Sequence, residues 1–373
     1  MEDNFLINLL GIDELSLRRI LEECDCYSNY RISQLKNWIH RRQVSSFDEM
    51  TNLSMKLRDY LKTIAKIEAM PLKTQQFSMD GTRKWLFDAG FDNAVETVFI
   101  PDSNRNTLCI SSQAGCAVNC SFCFTGQQGF NRNLTTSEII GQLWWAQKNI
   151  NNDFFSGNLD KSIINSPKIT NIVMMGMGEP LLNYSQVIPA LRLMMDENSY
   201  ALSKRKITLS TSGIVPMIDK LVNDCPVSLA ISLHAPNDEL RDKLIPINKK
   251  YPLQELMKSC RNYVSYAPRD FITFEYCMLD NINDSDKHAF ELIELVRTIK
   301  CKINLIPFNS FPNSNLKRST QNRILSFVKI LNSQGIVTTV RKTRGDDINA
   351  ACGQLAGSIK NITKIKTHES IKL

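Results

Sequence analysis

Cys116-Ala117-Val118-Asn119-Cys120-Ser121-Phe122-Cys123 puts three cysteines, spaced three then two, into one short stretch. Leu108-Cys109-Ile110 ahead of it reads as a strand. Gly126 and Gly129 behind it precede a helical pattern, so the thiols belong to a strand–loop–helix connection. Structural zinc is closed by four protein ligands, and a [4Fe–4S] cluster normally takes four cysteines. Three thiolates would leave one iron of such a cluster open to a small molecule. A zinc knuckle would need another His or Cys close by, and the next histidine, His234, is far off in sequence. Disulfides suit export, yet Met1-Glu2-Asp3-Asn4 is acidic and unlike a secretory leader.

Eleven cysteines, an odd count, fit a reducing cytoplasm and metal chemistry. No apolar run approaches the roughly 18 residues of a membrane span, so no membrane partner is expected. The 373 residues suggest about two domains. The net charge of +7 is unevenly placed: residues 1–80 carry 11 basic and 12 acidic side chains, whereas residues 317–373 carry 11 basic and 3 acidic. A basic segment is an electrostatic footprint for phosphate backbones; charge alone favours a solvated tail, and the Arg341–Leu355 motif within it shifts the reading toward RNA.

Residues 1–74 read as a small helical accessory domain, with helical patterns from Ile12 to Leu21, Tyr30 to Ile39 and Asp48 to Ile67. Arg41, Arg42, Lys56, Arg58 and Lys62 there are candidate RNA contacts; the alternative is a docking module. Residues 75–101 read as a β linker element, with strand-like Trp85-Leu86-Phe87 and Val95–Ile100. Thr135-Thr136-Ser137-Glu138 has capping-box spacing before a helix, and residues 151–168 read as a polar insertion. Strands are then expected at 169–175, 207–210, 227–233, 271–278 and 303–307, with helices near 185–196, 215–223, 252–264, 285–299 and 320–333. With the strand at 107–110 these make six βα units, which argue a parallel sheet with helices outside. In such sheets the active site lies at the C-terminal strand ends, where all the distinctive polar motifs fall.

Those motifs are Gly176-Met177-Gly178-Glu179-Pro180, Ser210-Thr211-Ser212-Gly213, Ser232-Leu233-His234-Ala235-Pro236 and the segment Arg341–Leu355. Together with Cys-x3-Cys-x2-Cys and its Phe122, the chain resembles the bacterial dual-specificity radical S-adenosylmethionine (SAM) 23S rRNA/tRNA adenine-C2 methyltransferases. The resemblance covers nearly the whole chain. It implies an α/β fold, a partial (β/α)6 barrel with the N-terminal helical domain and the short β element. The barrel core would span residues 102–345. A catalytic-cysteine loop and basic tail would follow at 346–373.

The resemblance also implies roles. Cys116, Cys120 and Cys123 would hold the [4Fe–4S] cluster. Gly178, Glu179, Ser210, Ser232, Leu233, His234 and Asn309 would hold SAM, whose amino and carboxylate groups chelate the open iron. Cys352 would take a methyl from one SAM, and a radical from a second SAM would activate it for addition to adenine C2. Cys109 would resolve the adduct through a transient disulfide with Cys352, and Glu96 would serve as acid/base. From the residues alone, Cys109 reads first as a buried strand cysteine and Glu96 as the solvent face of a strand. The implied partners are 23S rRNA, tRNA and an electron donor such as a flavodoxin-type reductant, in the cytoplasm. Rival readings are the related C8-methylating antibiotic-resistance enzyme, a non-catalytic iron–sulfur RNA-binding regulator, and a radical SAM enzyme acting on a small metabolite.

Overall fold

A computed structural model of the chain describes residues 6–159, 163–312, 314–355 and 357. The N-terminal block is helical. Its first helix, α1 (Glu14–Glu23), starts where the Asp13 carboxylate accepts from Ser16 N. The second, α2 (Asn29–Lys36), starts at Ser28 and runs into a π turn, Asn37–Arg41. The third, α3 (Met55–Ile64), is shorter than the Asp48–Ile67 pattern suggests. A separate 3-10 turn, Phe47–Glu49, is closed by a Ser46/Glu49 capping box, and Ser54 caps the true helix start. Side-chain caps override apolar periodicity there. Strand β1 (Ile7–Asn8) pairs with β2 (Ala65–Lys66) and closes the block.

The main sheet has ten strands. Three antiparallel strands lead in: β3 (Leu72–Phe77), β4 (Arg83–Gly90) and β5 (Asn93–Ile100). The β element is therefore not a separate linker piece: β5 pairs antiparallel with β6 (Thr107–Cys109) and extends the barrel sheet. A small hairpin, β7 (Gln113–Gly115) with β8 (Phe130–Asn133), encloses the cysteine loop and the short α4 (Phe124–Gln128). Then comes α5 (Thr136–Phe155), with the Thr135/Glu138 capping box the spacing implies. It continues into the stretch read as polar insertion, because Ile150 still packs on the core.

From β9 (Asn171–Met174) strands and helices alternate: α6 (Tyr184–Met195), β10 (Ile207–Thr211), α7 (Val215–Asp224), β11 (Ser228–Ser232), α8 (Asp238–Leu244), α9 (Leu253–Val264), β12 (Ile272–Met278), α10 (Asp286–Val296), β13 (Cys301–Pro307), α11 (Gln321–Ser333) and β14 (Thr338–Val340). The order β6-β9-β10-β11-β12-β13-β14 is parallel throughout. Each crossover helix returns the chain to the same edge, which brings every strand's C-terminal end to one rim. The sheet ends in unpaired edges at β3 and β14 and does not close, as a partial barrel requires. The sequence patterns missed α8 and β14, both short. No helix among the described residues is long and apolar enough to cross a membrane.

One apolar core runs from the N-terminal block into the barrel and includes Leu35 and Ile39 with Leu143 and Ala146. Polar contacts orient that docking. Lys36, almost fully buried, pairs with Glu14 at 2.7 Å and Asp196 at 2.9 Å. Trp144 Nε1 donates to Ile39 O at 2.8 Å, and His40 Nδ1 lies 3.3 Å from the Tyr200 hydroxyl. Burial pushes the His40 pKa down to about 3, against the pull of Asp196.

The unfolded chain therefore takes up a proton at His40 near pH 6.5 that the folded chain refuses. Stability must fall as pH drops through the window from about 6.5 to about 3. Between pH 6 and 4.5 the wild type should lose roughly 1.4 kcal/mol per pH unit more than His40→Gln, in urea melts at matched ionic strength. Parallel pH profiles would exclude a neutral buried His40.

Candidate active site

The cysteine loop is shaped by its base. Cys116 N donates to Gly129 O at 2.8 Å across the β7–β8 hairpin. Gly115 has φ +79°, and a Cβ there would lie 2.0 Å from Gly129 O, so only glycine allows this closure. At the other end Cys123 is the residue before α4, and Ser121 N donates to Leu244 O at 3.1 Å, which ties the loop to α8. Phe122 and Phe124 bury the loop's apolar side against Val118, Phe308 and Phe311; Phe124 stacks on Phe311 at 5.3 Å. Cys116, Cys120 and Cys123 consequently face one cavity of about 140 Å³. Gly178, Glu179, Ser210, Ser232, His234, Asn309 and Cys352 share its walls.

Gly178, at φ +95°, passes so close to Gln113 that a Cβ would meet the Gln113 side chain at 2.5 Å. The peptide that follows is held by Gln113 Oε1, which accepts from Glu179 N at 2.8 Å. Glu179 is thereby aimed into the cavity. Its carboxylate accepts from Leu181 N at 3.0 Å and from Ser212 N and Oγ at 2.7 Å. Burial raises its pKa, and the Ser212 bonds only partly offset this. No cation among the described residues makes an ion pair with it. A buried carboxylate so placed is completed by an ammonium group.

A residue that sequence reading missed organises this rim. Arg241 on α8 is fully buried. Its guanidinium donates to Ser212 O at 2.7 Å, Ser232 O at 3.0 Å, Leu233 O at 3.1 Å and Asn248 Oδ1 at 2.7 Å. The ends of β10 and β11 are pinned together in this way. Burial lowers its pKa to about 10, still far above neutrality. Leu233 is fully buried and does not line the cavity; its carbonyl serves Arg241 instead. Only the position of Arg241 on the helix after Ser232–Pro236 hints at its role, since an arginine in a short amphipathic helix normally reads as exposed.

His234 does line the cavity, at φ +57°. Its Nδ1 accepts from Cys277 N at 2.8 Å, which leaves the proton on Nε2. Burial, and then Arg241, push its pKa to about 3, so the ring is neutral, edge-on to Phe122 at 4.4 Å.

Cys352 arrives from the opposite end of the chain. Its carbonyl accepts from Asn309 Nδ2 at 3.2 Å, Gly353 O from Phe124 N at 2.9 Å, and Leu355 O from Thr125 Oγ1 at 2.6 Å. The loop is thus fastened to the helix that follows the three cysteines. Cys109 closes β6 and lines neither the cysteine cavity nor a second cavity, of about 500 Å³, that also reaches Cys352. Burial pushes its thiol up to about 12; the Cys352 sulfur adds to this and Arg341 opposes it. Arg341 itself is buried against its charge, yet Cys352, Glu275 and Cys109 around it hold its pKa above the usual value. Glu275, on β12, was not legible in its apolar run; burial raises its pKa against Arg341 and an Asn304 hydrogen bond of 2.8 Å. Glu96 is buried outside both cavity linings and pairs with Lys84 at 3.1 Å, whose Nζ also donates to Asn349 O at 3.2 Å. All eleven cysteines are free thiols.

Residues 110–293 match the family model of the radical SAM superfamily, and residues 7–67 match that of the ribosomal RNA large subunit methyltransferase N-terminal domain. A radical SAM methyltransferase from Sphaerobacter thermophilus, known from its crystal structure, is 41% identical, with 94% of this chain and 99% of that one covered and a TM-score of 0.84. The chain belongs to the radical SAM methyltransferases. Weaker likenesses are a Streptococcus suis SuiB structure bound to S-adenosylmethionine (11% identity, 67% and 57% covered, TM-score 0.43) and a domain of a Bacteroides vulgatus pyruvate-formate lyase-activating enzyme (16%, 46% and 99%, TM-score 0.37).

Membership of the radical SAM methyltransferases implies a [4Fe–4S] cluster and SAM. The donor set fits. Among the described residues no three His, Cys, Asp or Glu side chains close on one point as a single ion demands. Three thiols facing one cavity suit a cluster instead, because each thiolate takes a different iron. The buried Glu179 supplies what an amino group beside the fourth iron would need.

The Arg241 clamp is testable without any ligand. Arg241→Met should cost about 2–4 kcal/mol in denaturant melts, because it strands four acceptors in the interior. It should also speed amide hydrogen exchange in peptides spanning 208–214 and 230–236. A variant with lower stability but unchanged exchange in those peptides would remove the clamp from the argument.

Proposed function

We propose that this protein methylates C2 of an adenine in 23S rRNA, in the peptidyl-transferase centre, and of the adenine 3′ of the anticodon in tRNA. The observation that carries this reading is the position of Cys352. A loop cysteine from the end of the chain is fastened onto the helix after the three cysteines, with Cys109 as its electrostatic neighbour. A small-metabolite enzyme has no need of such a loop or of a large-subunit rRNA methyltransferase domain at its N-terminus. A non-catalytic regulator has no need of two neighbouring thiols.

Adenine C2 is an electron-poor aromatic carbon and does not attack a methyl sulfonium as a nucleophile. The cluster and SAM, bound at Cys116, Cys120 and Cys123, supply radical chemistry that avoids this barrier. The chain's residues do the rest. Glu179 orients the amino group of SAM, with Gly178 giving backbone access. Ser210, Ser232, His234 and Asn309 line the remainder of its pocket, and Arg241 sets their spacing. One SAM methylates Cys352 on sulfur and a second is spent in activating that methyl. That methyl would lose a hydrogen atom to the radical from the second SAM, and its carbon would join C2; loss of the C2 proton and of one electron to the bound cluster would leave RNA attached to Cys352 by a thioether. Cys109, as thiolate, would then attack the Cys352 sulfur: the S–C bond breaks, the released carbon takes a proton to become the methyl of the base, and a transient disulfide remains for the reductant to open. The C2 proton goes to Cys109 or to Glu96; both are buried outside the cavity linings, Glu96 in an ion pair with Lys84. The reading needs a flavodoxin-type electron donor and a reducing cytoplasm.

Nucleoside mass analysis of rRNA and tRNA, after anaerobic incubation with reconstituted protein, SAM and reductant, should give 2-methyladenosine in both. An 8-methyladenosine product would move the protein to the resistance enzymes. Cys109→Ala should accumulate protein–RNA adduct through Cys352 and fall at least ~100-fold in turnover. Free RNA and normal turnover in that variant would end the Cys109 assignment.

A further inference from the structure

Below the cysteine cavity lies a larger chamber, about 500 Å³, inside the open barrel. Its walls begin at Thr208, Ser228 and Lys302, near the N-terminal ends of β10, β11 and β13, and rise to Glu275, Asn309 and Cys352. Glu275, Ile306, Asn309, Arg341 and Cys352 line both spaces. Cys352 is therefore reachable from two sides. The upper space is covered by the cysteine loop and by Gly353 bonded to Phe124. A large substrate has to come through the lower one.

The chamber is cationic: Arg105, Arg269 and Lys302 lie at the N-terminal strand ends that form its lower mouth, and Arg341, Lys342 and Arg344, past β14, line it further up, against only Asp102 and Glu275. The Arg105 side chain is exposed and makes no hydrogen bond or ion pair with the described residues. Desolvation in the mouth, then Arg269 and Arg341 nearby, hold its pKa below the usual arginine value. Among the described residues Arg269 donates to the carbonyl of Arg205, and Lys302 sits over the Phe271 ring at 4.6 Å. Asp102 acts on Arg105 and Arg344 lies 3.9 Å from Asp80, yet like charges that outnumber their counter-charges at a mouth attract a polyanion. Some of the N-terminal cations read from sequence as candidate RNA contacts already have protein partners. Arg41 donates to Ser199 O at 3.3 Å, Arg42 stacks on Trp38 at 4.2 Å, and Lys62 pairs with Asp48 and Asp59.

We propose that the RNA enters the barrel at the N-terminal ends of the strands: Arg105, Arg269 and Lys302 hold the phosphates flanking the target, and its unpaired base occupies the chamber beneath Cys352. This rests on the methyltransferase reading above and adds the route and the residues. Unpaired bases are the usual targets of sequence-specific RNA recognition. An acidic reductant is the other polyanion such a mouth could receive. It fits poorly, because β12 alone spans roughly 20 Å between the mouth and the strand ends that carry the cysteine loop.

The test uses the reconstituted full chain and an anticodon stem-loop oligoribonucleotide with an unpaired adenine 3′ of the anticodon. Binding is followed by fluorescence anisotropy over a series of salt concentrations. Arg105→Gln with Lys302→Gln should bind at least ~10-fold more weakly at low salt, and the slope of log K against log salt should shrink by about 0.7 per lost cation. Arg105→Lys with Lys302→Arg should restore affinity, which separates lost charge from misfolding. Lys329→Gln, an exposed cation on α11, should stay within about twofold of wild type. Wild-type affinity and slope in the double glutamine variant would overturn the proposal; a higher half-saturating flavodoxin concentration alongside would assign the mouth to the reductant. Charge-dependent RNA binding without any methyladenosine from the wild type would sink the methyltransferase reading and leave the entry route standing.

Discussion

A single buried guanidinium holds the functional end of the barrel together. Arg241 directs its donors to carbonyls of Ser212, Ser232 and Leu233 and to Asn248, so two strand ends and the turn after α8 share one hub. Unpaired carbonyls at the end of a parallel sheet must find donors or water. Here the donors come from a charge that has no exposure and so cannot trade them for water. The Ser212 amide is then free to face Glu179, and the Glu179 carboxylate acquires its fixed direction. Position in the cavity is inherited from that chain of contacts, not from the loop residues separately.

The second consequence of the fold is the meeting of distant segments at Cys352. The cysteine loop follows β6, Asn309 follows β13, and Cys352 lies past β14. Gly353, Leu355 and the Cys352 carbonyl are bonded to Phe124, Thr125 and Asn309 in one small area. The turn of the β3–β4 hairpin reaches the same loop from outside, with Asp80 accepting from Gly345 N at 3.1 Å and Asp347 accepting from Met79 N at 3.2 Å. The antiparallel strands that precede the barrel thus support the loop that carries Cys352. Basic residues 358–373, part of the charge excess noted in sequence, lie outside the described residues.

The N-terminal block shows how local and tertiary forces divide the work. Its caps at Asp13, Ser28, Ser46 and Ser54 are local and set helix starts within a residue. Its place on the barrel is decided by Lys36, His40 and Trp144 contacts that span more than a hundred positions of sequence. Of its cations, Arg41 donates to the Ser199 carbonyl of the barrel, whereas Arg42, Arg58 and Lys62 contact residues of their own block.

Much of this protein was legible from its residues. The cysteine spacing pointed to a cluster loop because three thiolates in one short loop have few other uses. Six βα alternations pointed to a parallel sheet because apolar runs and helical periods are local properties of the chain. The position of Gly178 before Glu179 was legible for the same reason. Arg241, Glu275, the cationic mouth and the separation of Glu96 and Cys109 from the cavity linings were not. Each depends on which strand ends become neighbours and on which side of a strand faces the lumen. Register and barrel curvature set those relations, and pairwise packing across the sheet decides them rather than any residue's own preference.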